Sequence, residues 1–132
     1  MKNRTLLFGE GLFETFRVYQ GRRLAFVDDH LARMAEGCRF FSLPFSGEEA
    51  ERTLESALAE IPSDTEARLR LNLVSYGNQR VEKTAFHTAW EPLQNMDTWQ
   101  SAGVTLGVAP FQKFSRSPIV RFKTTSYLEN IF

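Results

Sequence analysis

Apolar and polar positions alternate from Leu12 to Val18, the period of a strand with two differently solvated faces. Gln20-Gly21 marks a turn, and Leu24-Ala25-Phe26-Val27 returns as a second strand, so the pattern predicts a hairpin. The period then changes. Leu31, Met34, Ala35, Cys38 and Phe41 recur at helical spacing, Asp28 or Asp29 stands where an N-cap belongs, and Pro44 closes the segment. Ser46 and Glu49 form a capping-box pattern. Behind it Ala50, Leu54, Ala57, Leu58 and Ile61 share one helical face until Pro62 stops it.

The second half reads as strands. Leu69, Leu71 and Leu73 alternate with Arg68, Arg70 and Asn72, which predicts a strand with one wet face. Tyr76-Gly77-Asn78-Gln79 is a turn. Phe86, Thr88 and Trp90 alternate with Ala85, His87 and Ala89, and Val104, Leu106 and Val108 with Thr105, Gly107 and Ala109. A polar connector, roughly Glu91 to Ala102, joins these last two predicted strands. Two helices among hairpin-like strands give an α+β class, with an antiparallel sheet. Thr124 to Phe132 reads as an amphipathic segment with no stop signal, and a chain ending on Ile131-Phe132 leaves apolar surface to be covered.

Composition narrows the function classes. The 132 residues carry 16 Lys plus Arg against 16 Asp plus Glu, so no net field draws nucleic acid or a membrane surface. The single cysteine, Cys38, excludes an intrachain disulfide, and its place on the apolar helix face makes it a core residue. No run approaches the roughly 20 apolar residues of a membrane span, and Met1-Lys2-Asn3-Arg4-Thr5 turns polar too soon for a secretion signal. Cytoplasmic residence is the expectation. Two histidines and one cysteine, far apart, make no zinc spacing, so no metal is expected. Neither a P-loop nor a nucleophile elbow is present.

Chemistry concentrates in three runs. The first is Phe8-Gly9-Glu10-Gly11-Leu12-Phe13-Glu14-Thr15, the second His30-Leu31-Ala32-Arg33, and the third Arg121-Phe122-Lys123-Thr124-Thr125-Ser126-Tyr127-Leu128-Glu129-Asn130. A lysine amine becomes a nucleophile when its surroundings lower its pKa. An arginine offers a phosphate a planar, bidentate, permanently charged donor. Taken singly, a solvated lysine, a solvated helix-face arginine and a turn-forming Gly-x-Gly are the ordinary readings of these residues.

Together and in this order the three runs resemble the class IV pyridoxal-phosphate enzymes, which include branched-chain and D-amino-acid aminotransferases and aminodeoxychorismate lyase. The resemblance covers essentially the whole chain. It implies that Lys123 carries pyridoxal 5'-phosphate, surrenders it to an amino substrate and shuttles a proton at the α-carbon, and that Arg33 binds the cofactor phosphate. His30 is equally well read as capping or packing. The Gly-rich run would line the substrate side through Phe8 and Phe13; the D-amino-acid enzymes prefer tyrosine at the position of Phe13, which lowers that subclass. Arg70 or its neighbour Arg68 would take a substrate carboxylate, with Arg116 and Arg121 as alternatives. Tyr127-Leu128-Glu129-Asn130 leans slightly toward the lyase branch.

Family members continue into a second, larger domain holding most of the cofactor site, and usually begin one strand earlier. The expectation is therefore a small α+β domain over residues 1–97, and over residues 98–132 a connector and the first part of the pyridoxal-phosphate domain. On that reading the function is amino transfer or β-elimination on a small-molecule amino compound. The parent would be a homodimer. The 132 residues alone would be inactive and would self-associate through the apolar tail and exposed-looking phenylalanines of the first hairpin. The rival expectation is a truncated, non-catalytic interaction module, without the cofactor domain and its acidic partner for the pyridine nitrogen.

Overall fold

The computed structural model describes residues 1–128. Five strands form one sheet: β1 (Lys2–Asn3), β2 (Gly11–Tyr19), β3 (Arg23–Leu24), β4 (Ala67–Gly77) and β5 (Lys83–Pro92). Every pairing is antiparallel, with β4 central between β2 and β5, β1 beside its end, and β3 on the outer edge of β2. Helices α2 (Val27–Phe41) and α3 (Gly47–Glu60) cover one face. The α+β class and the antiparallel sheet are those the patterning predicts.

Register explains which residues are buried. Leu12 pairs with Leu73, Glu14 with Leu71, Phe16 with Leu69 and Val18 with Ala67. Opposite residues share a face, so this set points at the helices. There it packs with Leu31, Met34, Cys38, Ala50, Leu54, Ala57 and Ile61 as one core. Phe86 and Trp90 join it from β5. The other face carries Phe13 opposite Asn72, Thr15 opposite Arg70 and Arg17 opposite Arg68. Gly37 lets α2 lie close, since a Cβ there would stand 2.8 Å from Leu12 Cδ1.

Cys38 is a core residue, 1% exposed, and burial pushes its thiol up to about 12. Only the thiolate alkylates readily. Cys38 is therefore expected to resist iodoacetamide at neutral pH in the folded protein and to react in guanidinium. Equal rates in both, followed by intact mass, would contradict this packing.

Several boundaries differ from the patterning. The predicted strand Leu24–Val27 shrinks to β3, because Phe26 turns into the left-handed region (φ 57) and opens α2. Phe26, not Asp28 or Asp29, is the N-cap; the two aspartates occupy the first turn, where they face the positive end of the helix dipole. Ser46 does cap α3, accepting from the Glu49 N–H at 3.3 Å.

The predicted strand at Val104, Leu106 and Val108 does not form. All three are exposed, and without a neighbouring strand their alternation has nothing to pair with. The connector holds a short helix, α4 (Met96–Ala102). A five-residue helix, α1 (Arg4–Phe8), precedes the Gly-rich run; Asn3 caps it and Gly9, at φ 66, ends it.

The phenylalanines in and around the first hairpin split. Phe13 and Phe16 are buried, whereas Phe8 and Phe26 are exposed, as is Leu128. Within the predicted amphipathic segment, Thr124 forms a bridge, Thr125 a bend, and Ser126 and Tyr127 are irregular. Glu129, Asn130, Ile131 and Phe132 lie outside the described residues.

Candidate functional site

Lys123 is positioned by backbone pairing. The Phe13 N–H donates to the Lys123 carbonyl at 2.8 Å, the Thr125 N–H to the Gly11 carbonyl at 2.9 Å, and Leu12 bridges Thr124. The Thr125 hydroxyl donates to the Gly9 carbonyl at 2.8 Å, and the Ser126 hydroxyl to the same oxygen at 3.3 Å. The lysine segment is thus held by an isolated antiparallel bridge on the outer edge of β2 and clamped by the Gly-rich run. That run is itself tied down. Thr5 Oγ1 and Ser75 Oγ both donate to the Glu10 carbonyl, and the Ser75 N–H donates to Thr5 Oγ1 at 2.8 Å.

Three side chains gather around one ring, that of Phe13. Lys123 Nζ stands 4.9 Å from the Phe13 ring centroid, and the Arg70 guanidinium carbon 3.7 Å from it. Tyr127 meets the same ring edge-on at 5.1 Å. Cations sit favourably on an aromatic face. The group lines an open cavity of about 550 Å³ together with Thr15, Arg68, Ala89, Trp90 and Glu91.

Two of its cations differ in how they are held. Arg68 is ion-paired with Glu91 across the strands. Arg70 Nε donates to Asn72 Oδ1 at 2.9 Å. Burial holds the Arg70 guanidinium below its usual value, the Tyr127 hydroxyl opposes that, and neighbouring Arg68 adds to it. An anion entering here would offset the like-charge crowding of Arg68 and Arg70.

Arg33 is reached from the other face. Glu14 points at the helices and accepts from Arg33 Nε at 2.7 Å and Nη2 at 2.5 Å, while His30 Nδ1 lies 2.8 Å from the same carboxylate. Hydrogen bonding to Glu14 raises the Arg33 pKa, with burial opposing. Glu14 is 1% exposed and the Arg33 side chain 46%. His30 also packs on Phe16, with ring centroids 4.6 Å apart.

Of the sequence-predicted residues, Lys123, Phe13 and Arg70 share one cavity. Arg33 approaches the same stretch of β2 from the helix side, through Glu14, the neighbour of Phe13. Phe8 lines two adjacent cavities, both with Gly9 and Ser126. Glu14 and Tyr127 were not foreseen as site residues. Glu14 had a signal: it is the one charged residue in the core phase Leu12, Glu14, Phe16, Val18.

Residues 11–132 match the sequence pattern described as amino-transferase class IV. The chain belongs to the class IV aminotransferase family. Its members are pyridoxal-phosphate-dependent. No curated protein matches the chain. Among solved structures it is similar to a putative 4-amino-4-deoxychorismate lyase from Legionella pneumophila, with TM-score 0.64 and 21% identity over 99% of this chain and 49% of that one. It is also similar to the pyridoxal-phosphate-bound form of a hypothetical aminotransferase from Mycobacterium tuberculosis, with TM-score 0.56 and 26% identity over 70% of this chain and 33% of that one. For 4-amino-4-deoxychorismate lyase from Pseudomonas aeruginosa the values are 0.53 and 23%, over 76% and 39%. The chain therefore spans less than half the length of these structures.

Among the described residues no helix is long and apolar enough to cross a membrane, and no group of His, Cys, Asp or Glu is arranged to hold a metal ion.

Proposed function

We propose that this chain is the small domain and the lysine-bearing start of the cofactor domain of a cytoplasmic pyridoxal-phosphate enzyme. The division falls at residues 97 and 98. The enzyme acts on a small amino compound by amino transfer or by β-elimination. The observation that carries this reading is the pinned Lys123, its amine against Phe13 at the mouth of a cavity bearing two arginines.

The residues present fit the cofactor at both ends. Lys123 offers a primary amine to the aldehyde. Arg33 offers a half-exposed guanidinium whose Nε–Nη2 edge Glu14 already fixes, leaving the Nη1 edge for a phosphate oxygen. When bound, pyridoxal phosphate supplies an electron sink for charge developing at the substrate α-carbon. Lys123 holds the cofactor and then moves the proton at that carbon. Arg70, held by Asn72 and stacked on Phe13, takes the substrate carboxylate. Phe13 forms the floor beneath the amine. Phe8 contributes to the substrate side from the neighbouring cavity that it shares with Ser126. Exposed Leu6, Leu7 and Phe8 of α1 give the apolar surface that a homodimer would cover.

Two measurements on the protein at its natural length test this. Adding pyridoxal phosphate should give an absorbance band of lysine-bound cofactor. Incubation with candidate amino compounds should then separate the reactions, because amino transfer needs a keto-acid acceptor and elimination proceeds without one. A protein that takes up no cofactor under saturating conditions would refute the enzymatic reading in favour of an interaction module.

Arg33→Ala should weaken pyridoxal-phosphate binding far more than pyridoxal binding. Losing a charge-assisted phosphate contact costs on the order of 1.5–3 kcal/mol. Equal weakening of both, measured by equilibrium dialysis, would show that Arg33 only supports the helix.

A further inference from the structure

Among the described residues Glu14 is the only charged one that is buried, and it holds a core register position opposite Leu71. Taking a carboxylate out of water is costly, and an apolar residue at such a position commonly serves stability as well or better. The carboxylate here is fully engaged. Oε1 accepts from Arg33 Nε, and Oε2 accepts from Arg33 Nη2 and lies against His30 Nδ1. His30 Nδ1 also stands 3.1 Å from Arg33 Nη2, so the imidazole nitrogen faces both members of the pair. The pair is asymmetric: one partner is sealed beneath α2, and the other reaches into solvent.

We infer that Glu14 is a positioning residue, which fixes the Arg33 guanidinium in the orientation that receives the cofactor phosphate. This rests on the reading of Arg33 as the phosphate ligand. A long arginine side chain loses rotamer freedom when it grips an anion, and holding it in place beforehand removes that loss from the binding step. Glu14 does so with two parallel bonds to one edge of the guanidinium, a geometry that sets its plane as well as its distance. His30 occupies the remaining side of the carboxylate and keeps it from rotating away, with Phe16 behind the imidazole. The order is therefore core strand, then carboxylate, then guanidinium, then anion.

The test is a cofactor-affinity cycle on the protein at its natural length, with pyridoxal phosphate and pyridoxal as the two probes and no turnover needed. Glu14→Gln keeps the shape and removes the charge. It should weaken pyridoxal phosphate by roughly 5- to 30-fold and leave pyridoxal within about twofold. In the Glu14→Gln, Arg33→Ala double variant the phosphate-specific loss should be no greater than in Arg33→Ala alone, because both act through one contact. Glu14→Asp, which keeps the charge but withdraws it by one methylene, should show the same selective loss to a smaller degree, and serves if the glutamine variant does not fold. Equal weakening of both probes in the Glu14 variants, or additive losses in the double variant, would overturn the inference while Arg33→Ala remains phosphate-selective. If Arg33→Ala itself shows no preference between the probes, the reading of Arg33 fails first and this one with it.

Discussion

Replacing Lys123 with alanine is expected to remove the cofactor's covalent attachment and to stop turnover while leaving the fold intact. The fold survives because the lysine segment is held by its backbone and by Thr125 and Ser126, none of which needs the Lys123 amine. Side-chain loss removes only a half-buried stem and one cation on Phe13. On the proposed function turnover is lost because the same amine would accept the cofactor and move the substrate proton; proton transfer alone is worth roughly 100- to 10,000-fold in rate. Residual cofactor should still bind through its phosphate. Borohydride reduction followed by peptide mapping checks the attachment. The chain has three other lysines, Lys2, Lys83 and Lys113, so a pyridoxyl label that persists on one of them in the variant, and is found there in the wild type, would disprove the assignment of Lys123.

The sequence announced the parts of the fold whose side chains alternate against a partner of the same period. Leu69, Leu71 and Leu73 are fully buried because β2 and β5 flank them in register, and their alternation with Arg68, Arg70 and Asn72 already separated core from cavity face. The same alternation at Val104, Leu106 and Val108 misleads, because period alone does not supply a neighbouring strand. Helix α1 has five residues, too few to show an amphipathic period. Phe26 reads as strand in the sequence because a bulky residue gives no hint of the left-handed conformation by which the chain leaves the hairpin for α2.

For the site, residue types were legible and their grouping was not. That Lys123, Phe13, Arg70 and Tyr127 meet depends on residues about 110 positions apart pairing edge to edge. That Glu14 faces Arg33 follows from strand parity combined with helix placement, and the second of these is a tertiary fact.

The Gly-rich run illustrates the difference most directly. The family resemblance implies that it lines the substrate side, and the structure also has it clamp the lysine segment. Gly9→Ala tests that task. Gly9 adopts φ +66, which costs an alanine roughly 1–2 kcal/mol. A Cβ there would also collide with Ser126 Oγ, which must rotate away, and would stand 3.3 Å from Ser126 Cβ, so the segment must give by a few tenths of an ångström. Moving it stretches the bonds from Thr125 and Ser126 to the Gly9 carbonyl, each worth about 0.5–1.5 kcal/mol. The expected result is a destabilisation of about 2–4 kcal/mol in denaturant unfolding, together with slower cofactor attachment at an unaltered Lys123. Ser126→Gly in the Gly9→Ala background removes the clashing hydroxymethyl group and should restore much of the attachment rate, though not the backbone strain. A double variant as slow as Gly9→Ala would mean that strain in the turn after α1, and not contact with the lysine segment, governs how Lys123 is presented.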